Sequence, residues 1–138
     1  MTFRKFEDIE IWKDGREVVK KVYDLTSRIP FSADKGLKDQ IRRAAVSICA
    51  NIAEGYARRG NREMIKFLWI SKGSAAEVQS HLYHALDLSY MDQASFELLY
   101  ERLEKIQIRI FHLIKTLTID SSRQKSLEQS SPSSSIEE

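Results

Sequence analysis

The chain has 138 residues, which is enough for one domain with a single hydrophobic core. Hydrophobic residues make up 42% and charged residues 30% of the chain. Five glycines and two prolines are too few to form the many turns of an all-β fold. One cysteine excludes an intramolecular disulfide framework. The amino end is charged where a secretory signal would be apolar, and no apolar run is long enough to cross a bilayer, so we expect a cytoplasmic protein without membrane partners.

The formal net charge of +2 is distributed unevenly along the chain. Residues 34–72 carry nine Lys/Arg against four Asp/Glu, whereas residues 73–138 carry six against ten. A basic middle third indicates a polyanionic partner. Ion pairs between its arginines and carboxylates of neighbouring helices would explain the asymmetry equally well.

Hydrophobic periodicity predicts two helices in the amino-terminal half. The first runs from about Asp8 to Ser27 and ends before Pro30, because proline disfavours helix in the residue that precedes it. The second helix follows the connection at residues 30–36 and continues to about Arg59.

Two further helices are predicted in the carboxyl-terminal half. The third begins with Gly60 or Asn61 as N-cap and closes at residues 88–91, and Asp92 or Ser95 opens the fourth. The fourth helix has the strongest periodicity, with apolar residues alternately three and four apart, namely Phe96, Leu99, Leu103, Ile106, Ile110, Leu113 and Leu117. Its stripe is widened by Ile108, Phe111 and Ile114, so we expect this helix to contact two neighbours.

The four helices have similar predicted lengths and short connections, which favour antiparallel neighbours. We therefore predict an all-α, up-down-up-down four-helix bundle over residues 1–118. Residues 119–138 are rich in serine and have little to bury, so we predict a disordered tail there.

The stretch QIRRAAVSICANIAEGYARRG, residues 40–60, has a polar line at helical spacing among short side chains. The third helix offers a matching run of small residues at 71–76. Such residues allow two helices to approach closely, and hydroxyl and amide groups can then hydrogen-bond across the contact. We predict a helix-contact seam, within or between subunits, in which the two glutamates pair with Arg42 or Arg43; its members are Arg43, Ser47, Asn51, Glu54, Gly55, Gly73, Ser74 and Glu77.

The sequence offers little for a metal site or a phosphate-binding loop. Glu77, His81 and His84 share one face of the third helix but supply too few ligands alone, and we interpret them as surface or half-buried residues. The Glu-x-x-His pairs of di-iron bundles and the glycine pattern of phosphate loops do not occur. We expect no metal and no cofactor.

Nucleophilic catalysis is equally poorly supported. Cys49 lies between Ile48 and Ala50 without a local histidine and is interpreted as a small packing residue. Trp12 and Trp69 have apolar neighbours at helical spacing, which favours core or interface packing over base stacking. The sequence predicts no catalytic residue and a non-enzymatic protein.

The central stretch resembles a known family, the 23S rRNA intervening-sequence proteins, which includes the accessory variability protein of diversity-generating retroelements. The resemblance covers roughly residues 6–117 and is carried by RRAxxSIxxNIAEG, starting at Arg42, together with FLxxxxGSAxE, starting at Phe67. It implies a four-helix bundle that assembles as a homopentamer with a basic surface. In the retroelement branch it implies binding of nucleic acid and of a reverse transcriptase, whereas most other members have no established activity.

We therefore expect a pentameric accessory protein that binds RNA or DNA without sequence specificity. Phosphate contacts are predicted from the turn between the second and third helices, with two residues behind it; these are Arg58, Arg59, Arg62 and Lys66, then Lys38 and Arg42. Salt bridges between subunits are an alternative use of Arg42 and Arg43. A homo-oligomeric protein-interaction scaffold with no nucleic-acid role stays open as the alternative function, since a net charge of +2 is small for a nucleic-acid binder.

Overall fold

The computed structural model describes residues 5–6 and 9–130, which contain four α-helices joined by short connections. The helices are α1 (Glu10–Thr26), α2 (Lys35–Ala57), α3 (Asn61–Asp87) and α4 (Gln93–Ser130), and a 3₁₀ turn at Phe31–Ala33 precedes α2. Each helix packs against the next, and α4 returns to pack against α1. The predicted all-α four-helix bundle is confirmed. The predicted helix start at Asp8 lies outside the described residues.

The core confirms the periodicity of α4. Six residues of the predicted stripe are buried, and Leu113 is partly buried against the core. Ile114 is also buried, but Ile108 and Phe111 are 53% and 40% exposed, so the widened stripe is only partly correct. The α4 helix contacts both α1 and α3, as predicted, but these two side chains lie at the margin of the arc that the two neighbours cover.

Aspartates begin two of the helices. The Asp34 carboxylate accepts a hydrogen bond from the Leu37 N–H (3.1 Å) and a second from the Tyr90 hydroxyl (2.9 Å). It therefore caps α2 and also ties that helix end to the α3–α4 connection. Asp92 accepts a hydrogen bond from the Ser95 N–H (2.7 Å), which lowers the pKa of the Asp92 carboxyl.

The predicted disordered tail begins too early, because α4 continues through residues 119–130. Nearly all of this extension is exposed. Its sequence therefore did not need the apolar stripe that indicated a helix further upstream, and it does not have one. Proline and glycine are absent until Pro132, and Arg, Gln, Lys, Leu and Glu are good helix formers. The bundle helix thus passes the predicted boundary at residue 118. Residues 131–138 lie outside the described residues.

No helix among the described residues is long and apolar enough to span a membrane.

Candidate nucleic-acid interface

The polar seam joins α2 to α3 within one chain. The Ser47 and Ser74 hydroxyl oxygens lie 2.8 Å apart, and either group can donate the hydrogen bond. The Asn51 side-chain amide donates to the Ser47 carbonyl (2.8 Å) and to its hydroxyl oxygen (2.9 Å). Both acceptors belong to α2, so Asn51 supports Ser47 from its own helix and does not make the predicted hydrogen bond across to α3. Polar side chains at the edge of a core need such partners, so the seam fixes how α2 and α3 align.

Close backbone approach accompanies these hydrogen bonds. The buried Ser71 hydroxyl donates to the Ile48 carbonyl at 2.8 Å. A Cβ placed on Gly55 would stand 2.9 Å from Met64 Sδ and 2.9 Å from Phe67 Cβ, closer than real Cβ contacts come. Gly55 is therefore a packing glycine between α2 and α3.

Three other predicted seam residues are not part of this contact. A Cβ on Gly73 would meet no atom within 4 Å, so this glycine faces open space. Glu54 pairs with Arg58 (3.0 Å) and Glu77 with His81 (3.3 Å), so the predicted pairing with Arg42 or Arg43 is wrong within one chain. Both pairs join residues four apart on one helix. This spacing brings two side chains together whatever the neighbouring helices do. Pairing between subunits stays a prediction.

Arg43 points away from the bundle. It is exposed and forms no salt bridge with any residue that the structure describes. Its guanidinium contributes to lowering the pKa of Asp39, after the larger effect of the hydrogen bond from Lys35.

Four cations cluster at the tip where α2 meets α3. Arg58, Arg59, Arg62 and Lys66 are all exposed. Arg58 forms the exposed pair with Glu54 and also lies over the Phe67 ring, with its Cζ 5.2 Å from the ring centroid. Lys66 Nζ lies 5.9 Å from the same ring. We call these four residues the basic turn.

Arg59 adopts an unusual backbone conformation in this turn. Its φ of 59° lies in the left-handed region, which costs a residue with a Cβ roughly 1–2 kcal/mol. The conformation ends α2 and allows the chain to enter α3 after Gly60. The Arg59 side chain is thereby placed at the extreme end of the bundle.

Lys38 and Arg42 do not lie behind the basic turn as predicted. They belong to the opposite end of α2, and sixteen residues of helix between Arg42 and Arg58 correspond to about 24 Å. Arg42 stacks on the Tyr23 ring at 4.2 Å and donates to Thr26 Oγ1 at 2.7 Å. Arg42 thus ties the end of α1 to α2, and the predicted group of six cations is divided between two ends of the molecule.

Lys38 has a local partner at that other end. Its ammonium group donates to the Ser32 carbonyl at 3.2 Å, in the connection that precedes α2. This contact holds the turn against the first part of the helix.

The end of α4 brings an unpredicted cation to the basic turn. Gly60 and Asn61 face Ser121, Gln124, Lys125 and Glu128 across a shallow cleft. Sequence reasoning missed Lys125 because it assigned residues 119–138 to a disordered tail. No proline or glycine occurs in this stretch before Pro132, and this absence could have led to the prediction of a longer α4.

The two tryptophans differ in burial. Trp12 is half-buried and packs edge-on against Phe6, with the ring centroids 5.1 Å apart. Trp69 is 49% exposed, and its ring centroid lies 6.2 Å from that of Phe111. Trp12 packs against the core as predicted, whereas Trp69 is not a core residue of this chain, and its packing at an interface stays a prediction.

The remaining candidate chemistry is weak in the structure as well. His81 and His84 have ring centroids 6.2 Å apart, and within the described part of the chain no three His, Cys, Asp or Glu residues are grouped to hold a metal ion. Burial raises the pKa of the Cys49 thiol to about 11, despite the opposing effect of Arg16. A Cβ placed on Gly15 of α1 would stand 2.9 Å from Cys49 Sγ of α2. Cys49 is therefore packed directly against α1, which is consistent with a packing role.

Comparisons with known proteins identify a family and a shared fold. The sequence profile described as 23S rRNA-intervening sequence protein matches residues 7–112, which is most of the chain. None of the curated proteins matches significantly. A crystal structure from Bacteroides thetaiotaomicron, titled as a protein with unknown function from the S23 ribosomal protein family, superimposes with a TM-score of 0.69 at 21% sequence identity. The alignment covers 76% of this chain and 98% of that one, so the two share a fold. On the strength of the profile match, this chain belongs to the family of 23S rRNA-intervening sequence proteins.

Proposed function

We propose that this protein is a non-enzymatic, cytoplasmic accessory protein that binds RNA or DNA through the phosphate backbone and works as a homo-oligomer. The observation that carries the proposal is the basic turn. Arg59, Arg62 and Lys66 are exposed and form no salt bridge with any described residue, so their charge is available to a phosphate. Arg58 adds to this field, because exposed pairs such as Arg58–Glu54 are worth little and exchange readily.

An oligomer is supported by the outer faces of α2 and α3. These faces expose short and apolar side chains where a solvated helix usually carries Lys and Glu; the residues are Val46, Ala50 and Ala57 on α2 and Ile70, Gly73 and Ala76 on α3. Such a surface is typical of a protein contact. We propose a second copy of the chain as the partner, in the pentamer that the family resemblance implies.

A pentamer would repeat the basic turn five times around one assembly. Phosphate contacts supply affinity without reading sequence, and repetition multiplies that affinity when one nucleic acid spans several copies. A reverse transcriptase or ribosomal RNA is the kind of partner that the resemblance suggests. A protein-interaction scaffold is the second candidate, favoured by the same apolar faces.

The first experiment is a gel-shift titration with structured RNA and with duplex DNA at two salt concentrations. Binding should weaken steeply as salt rises, because each neutralised phosphate releases counterions. The double variant Arg58→Glu with Arg59→Glu should abolish the shift. Absence of binding at low salt, or binding indifferent to salt, would favour the scaffold.

A matched control uses the other end of the bundle. Arg28→Glu with Lys35→Glu makes the same change in charge at two exposed residues whose only salt bridges are with Asp24 and Asp39 among the described residues. This variant should retain most of the binding. Light scattering should report about five times the 16.0 kDa mass of one chain for wild type and both variants. A stable monomer would refute the oligomer.

A further inference from the structure

A second surface lies on the α3–α4 side of the bundle, where two aromatic rings are exposed between lysines. Trp69, Ile108 and Phe111 are 49%, 53% and 40% exposed, and the two rings meet at an angle of 63°. Lys72 Nζ lies 5.9 Å from the Trp69 ring, and Lys115 Nζ lies 5.7 Å from the Phe111 ring. We call these five residues the aromatic patch.

The patch is continuous with the basic turn. Arg62 and Lys66 precede Trp69 by seven and three residues on α3, which places all three side chains along one side of that helix. From Arg62 to Trp69 the helix advances about 10 Å. On α4, which runs antiparallel, Lys115 follows Phe111 in the direction of Lys125 and the turn. Cations therefore accompany the patch on both helices.

Another aromatic cluster on the same two helices, with one exposed ring, has the opposite electrostatic setting. Tyr83 is also 49% exposed and packs against Phe96 and Tyr100. Glu104 lies one turn along α4 from Tyr100, and after the larger effect of the hydrogen bond with Tyr83 its carboxylate contributes to raising the pKa of Tyr100. Exposed aromatic surface alone therefore does not define the patch. The lysines distinguish it, and they favour an anionic ligand that also has flat apolar faces.

We propose that the aromatic patch stacks unpaired bases of a single-stranded nucleic acid, while the lysines and the basic turn hold the adjoining phosphates. Base faces are free in single strands and covered in duplexes, so this surface selects unpaired nucleotides. The inference rests on the proposed function and adds the class of nucleic acid to it.

The experiment compares two labelled probes of matched sequence by fluorescence anisotropy, an unstructured RNA of about twelve nucleotides and the corresponding RNA duplex. The variant is Trp69→Leu with Phe111→Leu, which keeps apolar bulk and removes both rings. We expect it to bind the single strand about tenfold more weakly than wild type and the duplex with little change. The matched control is Tyr83→Leu, which removes an equally exposed ring from α3 and should leave both affinities unchanged.

Tryptophan fluorescence gives an independent readout. In a Trp12→Phe background Trp69 is the only tryptophan, and the single strand should quench its emission whereas the duplex should not. Equal losses for both probes, or none, in the double-leucine variant would overturn base stacking and leave phosphate binding intact. A smaller molar mass of that variant in light scattering would also overturn it, because the patch would then be a subunit contact. Failure of wild type to bind either probe would refute the proposed function, and this inference with it.

Discussion

Gly55 of α2 lies directly against Phe67 of α3, so that a Cβ on the glycine would stand 2.9 Å from the Phe67 Cβ. Met64 closes the same site from the preceding turn of α3, with its Cα 3.4 Å from that Cβ position. Main-chain and Cβ atoms cannot move aside as the end of a long side chain can. The contact therefore sets the distance between the two helices near the basic turn.

Replacing Gly55 with alanine should accordingly destabilise the bundle. Forcing one methyl group into a packed contact typically costs about 1–3 kcal/mol, which outweighs the gain of up to about 1 kcal/mol in helix propensity. Urea denaturation followed by circular dichroism should show a lower midpoint than wild type. An unchanged or higher midpoint would mean that α2 and α3 are further apart than described.

Gly73→Ala is the matched comparison and should act in the opposite direction. Because nothing lies within 4 Å of the added Cβ, only the gain in helix propensity remains, and the free energy of unfolding of the chain should rise by about 0.5–1 kcal/mol. Denaturation is measured at a protein concentration low enough to give monomers. A destabilisation equal to that of Gly55→Ala would show that Gly73 is in a packed contact within the chain.

Arg59→Gly should separate stability from binding. Glycine adopts φ near 59° without steric cost, so the variant should be about 1 kcal/mol more stable than wild type in thermal unfolding, while losing one phosphate contact. Arg59→Ala is the control, since it removes the same charge but keeps a Cβ. It should weaken nucleic-acid binding similarly without the gain in stability. Equal stability of the two variants would contradict the left-handed conformation.

The Cys49 thiol should react slowly with alkylating reagents at neutral pH. Only the thiolate reacts, and because burial raises the pKa to about 11, very little thiolate exists at pH 7–9. The reaction rate with iodoacetamide should increase about tenfold per pH unit and level off only near pH 11. Unfolding in urea should restore the reactivity of an ordinary cysteine. Fast alkylation of the native protein at pH 7 would refute the buried setting.

The extension of α4 can be tested by two truncations. A chain that ends at Thr118 should keep the bundle but lose helical circular-dichroism signal and, with Lys125 removed, bind nucleic acid more weakly. A chain that ends at Ser130 is the control and should match the full-length protein in both measurements. Identical spectra of the two truncated proteins would contradict a helical segment at 119–130.

The sequence predicted what depends on local spacing. Alternation of three and four residues identified α4 and its buried stripe, and proline at residue 30 and glycine at residue 60 marked helix ends. The polar line on α2 identified Ser47 as a contact residue. The stripe and the polar line follow from the helical repeat, and the helix ends follow from the backbone properties of proline and glycine, so all of them are local properties of the chain. The failure at 119–130 has the same origin, because an exposed helix without an apolar stripe leaves no periodic signal.

The tertiary structure decided which way each side chain faces and what it meets. Gly55 and Gly73 look alike in sequence, yet one is packed against α3 and the other faces open space. Arg42 and Arg58 share the basic middle third, yet they lie at opposite ends of α2, where one ties α1 to α2 and the other joins the basic turn. A repeat along one helix specifies a face of that helix, whereas the neighbour that covers this face depends on how all four helices dock.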